Sequence, residues 1–230
     1  MANYVLVAGA WLGSWAWEEV AAELRSAGHG VHPLTLSGLA ERHGEGAPAG
    51  QQTHVADIVS EVERLDLREV VLVGHSYSGI PVGQAAERIG DRLARVVFVD
   101  SDVPVDGQAF VRAGESGRAV RESIAANGGS WPPLPAEEFE GQGLTGEQIA
   151  RILARATPHP GASLTEPAVL ERPLAALPAT YVKCLLDWPE PPSTVVDLVE
   201  GGHWRLVELT TGHWPMISQP GELARLLLES

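Results

Sequence analysis

Four consecutive aliphatic residues, Val70-Val71-Leu72-Val73, run directly into Gly74-His75-Ser76-Tyr77-Ser78-Gly79. A buried strand that breaks into small-His-Ser-x-small-Gly and then becomes a helix constrains the fold more than any other feature of the chain. The turn is so sharp that the residues two before and two after the serine must be small, or their side chains collide. Gly74 and Ser78 meet that demand. Such an elbow lifts Ser76 Oγ off a sheet and aims the first amides of the next helix at the same space. A bare Gly-x-Ser-x-small is only a common tight turn. The strand before this one, the helix after it and the partners downstream set it apart.

The rest of the chain supplies the sheet that the elbow needs. Tyr4–Ala8 reads as a buried strand and Ser14–Ala27 as a helix with Trp17, Val20, Ala21 and Leu24 on one face. Gly28-His29-Gly30 ends that helix, and Val31–Leu36 is a second strand. A helix over Thr53–Leu65 precedes the elbow strand, the helix Gly79–Ile89 follows it, and Leu93–Asp100 is a fourth strand. Near-continuous Val/Leu/Phe runs separated by helices indicate a parallel sheet covered on both faces. The rhythm breaks between Ser101 and Pro178, a Pro/Gly-rich stretch with helices expected at Glu115–Ala126 and Gly146–Ala156, the latter capped by Thr145 and Gln148. We read 101–178 as a lid inserted into one domain spanning 1–230. Alternation resumes with strand Ala179–Leu186, a short helix over Pro192–Glu200, strand Arg205–Thr210 and a final helix Gly221–Glu229.

A serine hydroxyl is a poor nucleophile until a neighbouring base takes its proton. Two histidines stand in nearly identical words, Gly202-His203-Trp204 and Gly212-His213-Trp214. Reactive groups gather at the carboxyl ends of parallel strands. His213 follows the strand Arg205–Thr210, whereas His203 precedes it and belongs at the opposite end, so His213 is the expected base. The orienting acid is expected between serine and histidine in chain order, which favours Asp187 after the strand Ala179–Leu186. Asp100 and Asp102 are its rivals, because they end the preceding strand; Asp197 falls in a helix and is expected in solvent. The expected triad is Ser76, Asp187 and His213. The two amides that a developing oxyanion needs are assigned to Tyr77, next to the nucleophile, and Ala10, in the glycine-punctuated loop after the first strand.

With these residues in place, the chain resembles the small α/β hydrolases grouped with plant methylesterases, salicylate-binding esterases and hydroxynitrile lyases, and their bacterial esterase relatives. The resemblance rests on Val5-Leu6-Val7-Ala8-Gly9-Ala10-Trp11 through Trp17, the Gly-His-Ser-Tyr elbow, Leu185-Leu186-Asp187 and Gly212-His213-Trp214-Pro215-Met216. It implies an α/β-hydrolase fold: a six-stranded, mainly parallel sheet flanked by helices, with the second strand at one edge, the first beside the third, and an inserted lid. It also implies a cofactor-free, metal-free serine esterase that acts through an acyl-enzyme on a small or aryl ester, a methyl ester or a lactone. Ala8-Gly9 stands where the family commonly has His-Gly. The lyase branch uses a threonine where Gly9 stands and a lysine where Trp214 stands, so lyase chemistry is disfavoured. Trp11, Trp131, Trp214 and Met216 are expected to border an apolar substrate pocket. The rival readings are a small-molecule receptor on this fold, or a lyase or oxygenase using the His-Asp pair alone.

Bulk properties narrow the field. A formal charge of −14 argues against nucleic acid and anionic membranes as partners, and no apolar stretch is long enough to cross a bilayer. The chain enters its first strand without a basic, apolar leader, which suggests a cytoplasmic protein. The single Cys184 rules out an internal disulfide and sits in an apolar run, as a core residue would. The expected partner is a small-molecule ester, and a homodimer is left open.

Overall fold

The computed structural model describes residues 1–46, 49–188 and 190–230. These residues form eight strands: β1 (Asn3–Val7), β2 (Gly30–Leu34), β3 (Val70–His75), β4 (Leu93–Val99), β5 (Ser130–Trp131), β6 (His159–Pro160), β7 (Ala179–Cys184) and β8 (Trp204–Leu209). Six of them make one sheet in the order β2-β1-β3-β4-β7-β8, and every neighbouring pair in it is parallel. β5 and β6 form a separate antiparallel ribbon. The helices are α1 (Glu18–Ser26), α2 (Gln51–Arg64), α3 (Gly79–Ile89), α4 (Glu115–Ala126), α5 (Gly146–Arg155), α6 (Gly161–Thr165), α7 (Ser193–Glu200), α8 (Pro215–Ser218) and α9 (Pro220–Glu229).

β1, β3 and most of β4 read as near-continuous apolar runs because they are covered on both faces. Tyr4, Leu6, Val71, Val73, Val97 and Val99 point to one side and pack with Trp17, Leu24, Leu223 and Leu227 of the α1 and α9 layer. Their alternates Val5, Val7, Val70, Leu72, Val96 and Phe98 point to the other and pack with Val55, Ile58, Val82 and Ala85 of α2 and α3. The period of two along each strand divides the core into two layers.

Register sets the catalytic edge. His75, the last residue of β3, pairs with Val99, the last of β4, and Val99 pairs with Val182 of β7. The residues that follow, Ser76, Asp100 and Lys183, therefore emerge side by side. The segment between β4 and β7 carries α4, α5, α6 and the ribbon, and its residues Phe110, Trp131, Leu134, Glu138 and Gln142 wall a cavity over this edge. Thr145 caps α5 as its sequence predicts: Gln148 N–H donates to Thr145 Oγ1, and Gln148 Oε1 accepts from Thr145 N–H. Among the described residues, no helix is long and apolar enough to cross a membrane.

Candidate active site

The elbow forms as a left-handed residue between a strand and a helix. Ser76 has φ of 54°, a conformation that a non-glycine residue holds only under constraint from its surroundings. The constraint is visible in its neighbours. A Cβ on Gly74 would lie 3.0 Å from Val82 Cγ2. Ser78 is small enough to fit and adds a tether: its Oγ accepts from His75 N–H at 2.8 Å and lies 2.8 Å from Val7 O, stitching the turn to β1. On the other side, a Cβ on Gly9 would meet Ser76 Cβ at 2.7 Å and His75 Nδ1 at 2.8 Å. Only glycine lets the loop after β1 approach the elbow this closely.

Ser76 Oγ lies 2.9 Å from His213 Nε2. His213 stands in the loop after β8, whereas His203 precedes β8 and is exposed at the far end. Two groups hold the His213 main chain. Its N–H donates to Gln142 Oε1 at 2.7 Å, and its carbonyl accepts from His75 Nε2 at 2.7 Å. Burial pushes the His75 imidazole down to about 3, with the neighbouring His213 charge acting in the same direction, so this ring is a neutral donor to that carbonyl.

Two carboxylates approach His213 Nδ1, the expected Asp187 and its rival Asp100. Asp100 Oδ2 lies 2.8 Å from His213 Nδ1, and Asp187 Oδ2 lies 3.4 Å from the same nitrogen. Asp187, expected as the acid, is thus the more distant of two carboxylates, and its Oδ1 is reached by Gln142 Nε2 at 3.4 Å. Asp100 is the nearer of the two because it directly follows β4, next to the elbow strand. Its φ of 42° turns the carboxylate in between β4 and β7, where Oδ1 accepts from Lys183 Nζ at 2.5 Å and Cys184 N–H at 3.2 Å. Lys183 and Asp100 are both almost fully buried. The other rival, Asp102, pairs with Arg112 at 3.2 Å.

Electrostatics follow from this geometry. Burial alone would lower the His213 pKa; hydrogen bonds to Asp100 and then Asp187, with the two negative charges, outweigh it and raise it to about 9. Burial likewise opposes ionisation of Asp100, yet the hydrogen bonds and charges of His213 and Lys183 bring it down to about 2. Ligand atoms of Asp100, Asp187 and His213 lie within 4.8 Å of one another. Lys183 already supplies the cationic charge against Asp100, so this is the donor set of a hydrogen-bonded relay rather than of a metal cage.

The cavity over Ser76 and His213 measures about 740 Å³. Ala10, Trp11, Trp131 and Trp214 line it, and the exposed Trp188 stands at its rim. Met216, expected at the pocket, is a core residue instead: it is 1% exposed and packs in the α1 and α9 layer, because α8 turns its side chain inward. Tyr77 is fully buried behind the elbow, where its hydroxyl meets His54 Nδ1 at 2.9 Å. Sequence reasoning missed Lys183, although a lysine inside an apolar strand requires a buried counter-charge and so points to a nearby acid.

The comparisons with known proteins agree with this architecture. The model of the alpha/beta hydrolase family matches residues 4–226. A carbendazim hydrolyzing esterase from Nocardioides sp. (strain SG-4G) is 31% identical over 241 residues, covering 99% of this chain and 98% of its own. The putative chloroplastic methylesterase 12 of Arabidopsis thaliana is 26% identical over 247 residues, covering 99% of this chain and 71% of its own. Among solved structures, an extracellular alpha/beta-hydrolase from a Paenibacillus species, described as sharing homology with tobacco salicylic acid binding protein 2, superposes with a TM-score of 0.88 at 24% identity over 100% of this chain and 98% of its own. Polyneuridine aldehyde esterase shares the fold with a TM-score of 0.75 at 20% identity, covering 100% of this chain and 99% of its own. The chain belongs to the alpha/beta hydrolase family, among its ester hydrolases.

Proposed function

We propose that the protein hydrolyses small, neutral carboxylic esters carrying an aryl or alkyl group, through an acyl-enzyme on Ser76. The observation that carries this reading is the unbroken line from Ser76 Oγ through His213 to Asp100, with contacts of 2.9 and 2.8 Å. His213 Nε2 takes the Ser76 proton as Oγ attacks the ester carbonyl carbon, and the Nδ1 proton stays on the hydrogen bond to Asp100. The amides of Ala10 and Tyr77 receive the oxyanion. The protonated His213 then gives its proton to the departing alkoxide. In the second half water attacks the acyl carbon as His213 takes its proton; the bond to Ser76 Oγ then breaks, His213 returns that proton to Oγ, and the carboxylic acid departs. A fluorophosphonate is expected to add once, at Ser76, and an ester panel that includes carbendazim, the named substrate of the Nocardioides relative, is expected to show turnover.

The walls of the cavity select by charge. Asp100, Asp102, Glu138, Asp187 and Glu190 all line it. Lys183 answers Asp100 and Arg112 answers Asp102, whereas Glu138 and Glu190 have no cationic partner among the described residues. Two like charges ~8 Å apart at an effective dielectric of about 20 repel by about 2 kcal/mol, less the part that salt screens. An aryl ester bearing a carboxylate is therefore expected to show kcat/KM at least about tenfold below its neutral isostere. The gap should narrow as ionic strength rises and in Glu138→Gln. Equal kcat/KM for the two esters at low salt would contradict this charge selection.

A further inference from the structure

Trp11 follows Ala10 in the loop after β1 and is itself held in the left-handed region, with φ of 64°. A tryptophan adopts that conformation only when its surroundings over-determine it. Here the surroundings belong to the inserted segment. Trp11 N–H donates to His159 Nδ1 at 3.3 Å, Thr157 N–H donates to Trp11 O at 3.0 Å, and Trp11 Nε1–H donates to Trp131 O at 3.1 Å. The Trp11 and Trp131 rings also meet at 4.3 Å. Trp131 and His159 face each other across the β5–β6 ribbon, so the ribbon grips this one residue from both of its strands.

The chemistry of His159 makes it an acceptor at the required atom. Ser163 Oγ–H donates to Pro160 O at 2.7 Å, which leaves the Ser163 oxygen to accept from His159 Nε2–H at 2.9 Å. With the proton on Nε2, Nδ1 carries the lone pair that faces Trp11 N–H. His159 is fully buried and touches the ring of Tyr77, whose own amide is the other oxyanion donor.

We propose that His159 is a positioning residue for ester hydrolysis: through Trp11 it fixes the backbone on which the Ala10 amide is aimed at the oxyanion. The inserted segment then does more than roof the cavity; it completes the oxyanion hole. This rests on the reading of Ser76 as nucleophile and Ala10 as donor given above.

The test compares His159→Phe and His159→Leu, which lose the acceptor, with His159→Asn, whose Oδ1 falls where Nδ1 was. Each is assayed for kcat and KM on a neutral aryl acetate, for inhibition by an arylboronic acid that mimics the tetrahedral adduct, and for Tm. Loss of a whole oxyanion donor costs about a hundredfold to a thousandfold in kcat. A loosened donor in the Phe and Leu variants is expected to cost about tenfold to a hundredfold, with KM within about twofold. Boronate affinity should fall by the same factor as kcat, and Asn should recover most of both. A folded Phe or Leu variant with wild-type kcat and boronate affinity overturns the proposal. So does equal loss in Asn, or failure of both apolar variants to fold while Asn folds, since either marks a purely structural contact. Turnover by Ser76→Ala would instead remove the underlying reading of the site.

Discussion

Ser76→Ala is expected to lower ester turnover at least about a thousandfold while leaving the protein folded and unlabelled by fluorophosphonate. The size of the effect follows from what Oγ does. It is the atom that becomes covalently bound, and its hydrogen bond to His213 Nε2 is the route by which its proton leaves. What survives the substitution is the cavity and the pair of amides, enough for weak acceleration over water but not for an acyl-enzyme. Stability should change little. The hydroxyl is only half-buried, and the contacts that hold the turn belong to Gly9, Gly74 and the Ser78 hydroxyl rather than to Ser76 Oγ. Alanine does inherit the left-handed φ of 54°, a strain of about 1–3 kcal/mol that serine already bears. Near-normal turnover by a folded Ser76→Ala protein would exclude the acyl-enzyme and return attention to chemistry run by His213 and its acids alone.

The parts of this molecule that the sequence makes legible are those set by periodicity and by local sterics. Near-continuous apolar runs mark β1, β3 and β4, because strands covered on both faces need no polar alternation. The small residues around Ser76 marked the elbow, because nothing larger fits there. The β5–β6 ribbon was not legible, since two residues per strand carry no period. Its grip on Trp11 joins residues 120 to 148 positions apart, a separation across which local pattern says nothing. Met216 illustrates a different limit. The motif places it near the pocket, but the direction of a side chain on the four-residue α8 is fixed by packing against the core. Asp100 and Asp187 show the hardest case. Both follow strands at the same edge, those strands are neighbours in the sheet, and chain order, which led to the expectation of Asp187, does not exclude Asp100. Distance separates them, with Asp100 Oδ2 at 2.8 Å and Asp187 Oδ2 at 3.4 Å from His213 Nδ1, and Lys183 is the residue in the sequence that points to a buried acid beside it.

Asp100→Asn is accordingly expected to be the crippling acid substitution, lowering kcat by up to about four orders of magnitude, with Asp187→Asn costing about tenfold or less. An asparagine at position 100 no longer enforces the Nδ1–H tautomer of His213, so Nε2 is no longer reserved as the acceptor for the serine proton. It also strands the buried Lys183, and removing one partner of a buried ion pair costs about 3–5 kcal/mol. Lost activity must therefore be separated from lost stability. Asp100→Asn combined with Lys183→Met should regain much of the Tm and none of the turnover, because the lysine neutralises the acid without touching the reaction. The pH profile gives a second reading. A base accepts protons only when unprotonated, so kcat/KM rises with pH through the His213 pKa. Two carboxylates hold that pKa up at about 9 against the effect of burial, which places the rising limb on the alkaline side of an ordinary histidine. Removing either carboxylate withdraws part of the support for the imidazolium and moves the limb to lower pH. For Asp187→Asn that shift should accompany substantial activity, raising the unprotonated fraction of the base near neutrality. The opposite pattern, a crippled Asp187→Asn beside an active Asp100→Asn, would assign the acid to the loop after β7 and leave Asp100 as the counter-charge of Lys183.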